Sequence, residues 1–221
     1  MDNKFDLNLR ENVMLFQKKR VELINELLKL EGYDEPMDKT QKIYDKESIE
    51  SSEITFVNSV LNLKEGCRLI IENLTSDITL DSLISLNREI GRDDSFDWGV
   101  IRNSRLFLDG TSFVPPIPVK ENVEANLKEL LEIETPLERA INLLVYLLKE
   151  NIFWGRNISL AFIISNKIMI ENGCGMIMVK SSYAKEFRVL LKEYLEDDLK
   201  KNKLIGFIYD NLIDGEKITH R

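Results

Sequence analysis

The chain has 221 residues, 43% of them apolar, with 30 lysines and arginines against 38 acids and a formal net charge of −8. That length suits one well-cored domain, alone or with a small appendage. The charge leaves no basic field for a phosphate backbone, which excludes nucleic acid as a main partner, and no apolar run approaches the roughly 20 residues of a bilayer span, so no membrane contact is expected.

The opening stretch MDNKFDLNLRENVMLF lacks the basic start and apolar core of a secretion signal, so a cytoplasmic location is expected. Apolar residues then recur at helical spacing from Leu7 to Leu30, and Gly32 marks the stop. The charged segment to about Ser48, with Pro36, reads as a loop; an N-terminal helical segment and loop (1–48) precedes the main domain (49–215). Ser51–Asn73 is helical in pattern, and Thr79 is a plausible N-cap for a helix through Leu83, Leu86 and Ile90. Gly99, Asp109-Gly110 and three prolines break the rhythm between Asp93 and Pro118. Within that break, Leu106–Val114 reads as a short β-hairpin turning at Asp109-Gly110. Helices are expected at Asn122–Leu131, Pro136–Lys149, Ile158–Asn172, Tyr183–Leu195 and Leu204–Ile213, and a short extended piece at Met176–Val179. The Ile158–Ile170 stretch is apolar on nearly all faces, which makes it the central helix.

The only histidine, His220, is next to last, which removes a Ser-His-Asp triad, a Cys-His dyad or a His-ligated metal from any buried site. Cys67 and Cys174 form no CxxC pair and read as packing residues. Glu53, Glu65, Glu132 and Glu134 lack the spacing of a glycosidase pair and read as solvated, and Trp98 and Trp154 read as anchors of the core or its rim. The most informative spot is Trp154-Gly155-Arg156-Asn157, directly before the central helix. Free N–H groups at a helix start attract anions, Gly155 lets backbone approach a phosphate, and Arg156 adds charge-assisted hydrogen bonds. An ordinary loop, with Asn157 as cap and Arg156 in solvent, is the competing reading.

The segment NIFWGRNISLAFIISNKIMIENG, Asn151–Gly173, resembles the signature loop and following helix of Fic (Fido-fold) domains, whose motif is HxFx[DE]GNGRxxR. Trp98-Gly99-Val100-Ile101-Arg102 is similar to the family's aGxxR stretch. Gly110–Pro118 is similar to the end of its flap and proline-rich exit, and Phe187–Gly215 to its C-terminal helices. The resemblance implies a mainly α bundle around a buried central helix with one short β-hairpin flap. In active members it implies transfer of AMP, or another phosphate-containing group, from a nucleotide with magnesium to a target hydroxyl. Laid on the motif, Asn151 stands at the histidine that serves as base, and an amide takes no proton near pH 7. Gly155 stands at the metal-binding acid, Arg156 at the first glycine, Ile158 at the second, Ser159 at the first arginine and Phe162 at the last; Phe153 and Asn157 are retained. The nearest segment to the family's inhibitory motif, [ST]xxxE[GN], is Ser51–Glu65, where Thr55 or Phe56 falls at the glutamate position, so the inhibitory contact is expected to be absent.

Two readings follow from the resemblance. The first is a catalytically degenerate Fic-fold protein acting as a protein-binding or regulatory module, with Leu106, Phe107, Leu108, Thr111 and Phe113 of the flap meeting a protein partner and no catalytic residue or metal retained. The second is a non-canonical transferase of AMP or another phosphate-containing group, holding the nucleotide on Gly155, Arg156, Asn157 and Ser159; ATP with magnesium is expected as a cofactor in that case alone.

Overall fold

A computed structural model describes residues 1–47, 53–93 and 96–215; His220, Ser48 at the end of the first expected segment and Ser51 at the start of the next expected helix lie outside them. The elements run α1 (Leu9–Leu30), α2 (Met37–Tyr44), α3 (Ile54–Glu72), α4 (Leu80–Ile90), α5 (Lys120–Leu131), α6 (Pro136–Glu150), α7 (Asn157–Glu171), β1 (Met176–Ile177), α8 (Ser181–Glu196), α9 (Lys201–Asn211) and β2 (Ile213–Asp214). Among the described residues the one sheet is the antiparallel pair β1–β2, with Met176 opposite Asp214. None of their helices is long and apolar enough to cross a membrane.

The mainly α architecture matches the expectation, with α7 at its centre. From Ser159 to Ile170 every residue of α7 is buried, and α1, α3, α4 and α6 pack around it. Each fully buried Leu, Ile or Phe there contributes on the order of 2 kcal/mol against exposure. Phe162, at the position that resembles the last motif arginine, is completely buried and meets Phe187 of α8 edge to face, ring centroids 5.8 Å apart. A charge would be desolvated there without a partner.

Three local readings are corrected. The 33–48 stretch holds a helix, α2, whose Thr40, Ile43 and Tyr44 face inward among charged neighbours; a stripe of three residues was too short to stand out. Helix α1 starts at Leu9 instead of Leu7, because Asn8 and Glu11 close a reciprocal capping box. The Leu106–Val114 segment turns at Asp109-Gly110 but forms no ladder. Its far arm is tied elsewhere: the Ser112 N–H and the Thr111 hydroxyl donate to Glu196 Oε1 at 3.1 and 2.8 Å, and Pro115 and Pro116 offer no N–H.

Helix α1 lies antiparallel along α7 and is fastened at the α7 C-terminal end. The Leu7 N–H donates to the Gly173 carbonyl at 3.0 Å, and Asn12 exchanges two side-chain hydrogen bonds with the Gly175 backbone at 2.8 and 2.7 Å. At Gly173, φ is +68° and a Cβ would lie 2.0 Å from the Leu7 carbonyl oxygen. Gly173→Ala is therefore expected to cost about 2–3 kcal/mol of unfolding free energy in a urea titration, from left-handed strain plus overlap; a loss below about 0.5 kcal/mol would show that this docking does not hold. Burial pushes the Cys67 thiol up to about 12 and that of Cys174 up to about 11. Both are expected to resist a thiol reagent near pH 8 in the native chain and to react in denaturant.

Candidate functional site

The loop between α6 and α7 is built by hydrogen bonds from its own residues. Helix α6 ends on Asn151, a left-handed residue with φ 45°, whose side-chain amide donates to the Leu148 carbonyl at 2.8 Å. Asparagine tolerates that backbone better than most residues. The expected cap of α7 is corrected: Arg156 is the N-cap, while Asn157 is the first helical residue and locks the loop instead. Its Oδ1 accepts from the Phe153 N–H at 3.0 Å and its Nδ2 donates to the Phe153 carbonyl at 2.8 Å.

Arg102, from the Trp98–Arg102 stretch, holds the other side. Only 1% exposed, it donates from Nε to the Asn151 carbonyl at 2.6 Å, from Nη1 to Ser104 at 3.0 Å, and from Nη2 to the Glu150 carbonyl at 3.1 Å and to the Pro116 carbonyl. Burial lowers its pKa from the ordinary arginine value, and arginine stays charged regardless. The Arg102 N–H also bonds the Ile152 carbonyl at 3.0 Å, and Ile101 bridges to Phe153. Asn87 of α4 completes the frame, accepting from the Gly99 N–H at 2.8 Å and donating to the Gly155 carbonyl at 3.0 Å.

The anion-binding end of α7 already holds a carboxylate. Glu31, at the end of α1, accepts the Ser159 N–H on Oε1 at 3.0 Å and pairs through Oε2 with Arg156 Nη1. Arg156 also donates to Ser59 Oγ, and its guanidinium lies 5.4 Å from the centre of the Tyr33 ring. It is 8% exposed, so the solvent reading is corrected. The backbone at Arg156 keeps a glycine-type conformation, φ 59°, at the position where the family motif has its first glycine. An arginine carries strain of about 1–3 kcal/mol there, and its guanidinium is held in place by Glu31, Ser59 and Tyr33.

The loop forms one wall of a groove of about 960 Å³, closed by the 106–111 segment and α8. Thus Asn151, Gly155, Arg156 and Asn157 meet Leu106, Phe107, Leu108 and Thr111 at one groove, while the buried Ser159 reaches the site through its backbone N–H. Phe113 lies outside the lining, under the Lys149 ammonium at 5.2 Å. Trp154 stands at the rim, edge to face with Phe96 at 5.7 Å. Glu31 was missed by the sequence reading, although Glu31-Gly32 carries the last two positions of [ST]xxxE[GN] with Leu27 at the first.

These residues do not fit a magnesium-nucleotide as they stand. Gly155 offers no carboxylate at the metal position, the described residues hold no cluster of three metal-ligating side chains, and Arg156 is engaged by Glu31. The loop's shape depends on Arg102. Its replacement by alanine leaves four carbonyls without that donor and is expected to cost at least about 3 kcal/mol, read from urea unfolding; a change within about 0.5 kcal/mol would show the loop holds itself.

No family model and no curated protein matches the sequence. Solved structures do match in fold. A Fic domain containing signaling protein from Bacteroides thetaiotaomicron superposes with a TM-score of 0.73 at 18% identity, covering 91% of this chain and 87% of that one. Fic-1 (residues 134–508) from C. elegans gives 0.72 at 18% identity over 91% of this chain, and a Fic family protein from Desulfovibrio desulfuricans gives 0.72 at 13% over 89%. The match spans 64% of each of those two longer chains. With the buried central helix and the Asn151–Ser159 loop at its start, these likenesses establish that the chain has the Fic (Fido) fold.

Proposed function

We propose that this Fic-fold chain is a protein-binding or regulatory module, in which the loop that holds nucleotide phosphates in active relatives has become a closed structural latch. The observation that carries the reading is Glu31: its two oxygens take the Ser159 N–H and the Arg156 guanidinium. A phosphate entering there meets a carboxylate in its place and no free cation in exchange. Asn151 offers no base, and its amide is spent on the Leu148 carbonyl. What the groove retains for recognition is the 106–111 wall and the aromatic rim.

A second reading keeps one supporting observation: the loop still grips an oxyanion, with helix N–H and arginine aimed at it. Removing Glu31 then opens a phosphate site for a non-canonical transferase of AMP or another phosphate-containing group, with ATP and magnesium supplied from solution.

A thermal-shift titration separates the two, because a ligand that binds the native state raises the melting temperature with concentration. ATP, other nucleotides and CDP-choline, with and without magnesium, are expected to leave both the native chain and Glu31→Ala unshifted at millimolar concentration. Glu31→Ala itself is expected to lose about 3 kcal/mol of stability, since it leaves Arg156 buried without its partner. A nucleotide-dependent rise in Glu31→Ala that Arg156→Ala abolishes would replace the binding reading with the transferase one.

A further inference from the structure

A second cavity, of about 620 Å³, lies between the start of α4, the last turns of α7, and α5 with the start of α6. It shares no residue with the groove beside the α6–α7 loop. Its floor is apolar, with Ile78, Leu80, Leu127 and Ile168 all buried. One wall is held rigid by Lys167 of α7, which is 5% exposed and donates to the Leu74 and Ser76 carbonyls. Those bonds fix the turn before α4, and Thr79 and Ser82 close a capping box at its far end.

Charge is divided across this cavity. On the α4 and α7 side, Asp77, Asp81 and Glu171 stand against Lys167 alone, whose ammonium both Glu171 and Asp77 act upon, so negative charge is in surplus. On the α5 and α6 side, Glu124 is paired with Lys120 at 3.7 Å, and Lys128 and Arg139 stand against Glu132, so positive charge is in surplus. Asp77, Asp81 and Lys128 are exposed and make no hydrogen bond or ion pair among the described residues. Arg139 spends Nε and Nη2 on the Ile133 and Glu134 carbonyls and leaves Nη1 for another acceptor. We infer that the cavity binds a short zwitterion, with an ammonium and a carboxylate at opposite ends of an apolar body. The ammonium meets Asp77 and Asp81, the carboxylate meets Lys128 and Arg139, and the body lies on the floor between them. Among the described residues no three acids converge closely enough to hold a metal ion, so the spread carboxylates suit an organic cation. An ω-amino acid and a dipeptide of apolar residues share this chemistry.

A thermal-shift titration of the full chain with ε-aminocaproate and with leucyl-leucine, beside hexylamine and hexanoate as single-charge analogues, tests this. At least one zwitterion is expected to raise the melting temperature saturably, and the better of the two names the source. Hexylamine and hexanoate are each expected to bind at least about tenfold more weakly, as the loss of a charged hydrogen bond implies. Asp77→Asn should weaken the zwitterion and hexylamine while sparing hexanoate, and Lys128→Gln should weaken the zwitterion and hexanoate while sparing hexylamine. Neither substitution removes a hydrogen bond or ion pair among the described residues, and circular dichroism of each variant confirms that it is folded. A single-charge analogue as strong as the zwitterion would overturn the two-ended ligand. A rise that ignores both variants, or no saturable rise with either zwitterion, would overturn the cavity as its site.

Discussion

One carboxylate joins two halves of this molecule. Glu31 ends the longest helix, α1, and satisfies both a helix N–H and an arginine at the first turn of the most buried helix, α7. The contact fixes the side chain of Arg156, which brings Ser59 and Tyr33 of two other segments into the same network. Without it, a left-handed arginine would keep its backbone strain and lose its one ionic partner among the described residues. The seating of α1 and the conformation of the loop therefore form a single problem with a single solution.

Around that contact, the loop is held mostly through backbone atoms. Arg102 reaches carbonyls of Ser104, Pro116, Glu150 and Asn151, and Asn87 and Asn157 bond backbone groups of Gly99, Gly155 and Phe153. A scaffold of this kind constrains the course of the chain and leaves the exposed side chains free to change. The course of the loop therefore does not depend on which side chains stand at Asn151, Gly155 and Ile158.

The α7 helix was legible because its apolar residues leave no polar face, and so were Thr79 and Pro136 at their helix starts. Trp154 to Asn157 were legible from a glycine, an arginine and a polar residue directly before the apolar helix, and Asn151 and Ser159 only through the resemblance to the family motif. Glu31 was not, since its role depends on α1 running antiparallel to α7 and bringing together positions far apart in sequence. The direction of Arg156 was hidden for the same reason. The missing ladder at Leu106–Val114 shows the opposite error: strand-forming residues and a tight turn were present, but Glu196 and the prolines took the groups that a ladder needs.

The docking of α1 at Gly173 has a further consequence at the other end of α7. Because Leu7 and Asn12 fasten α1 there, the Glu31 carboxylate is tethered and never diffuses away from Arg156. A tethered group competes at an effective concentration that for short connections reaches roughly millimolar and above, set by geometry and not by supply. A free anion of the same affinity would have to exceed that concentration to displace the carboxylate, so the contact is governed by how α1 is seated.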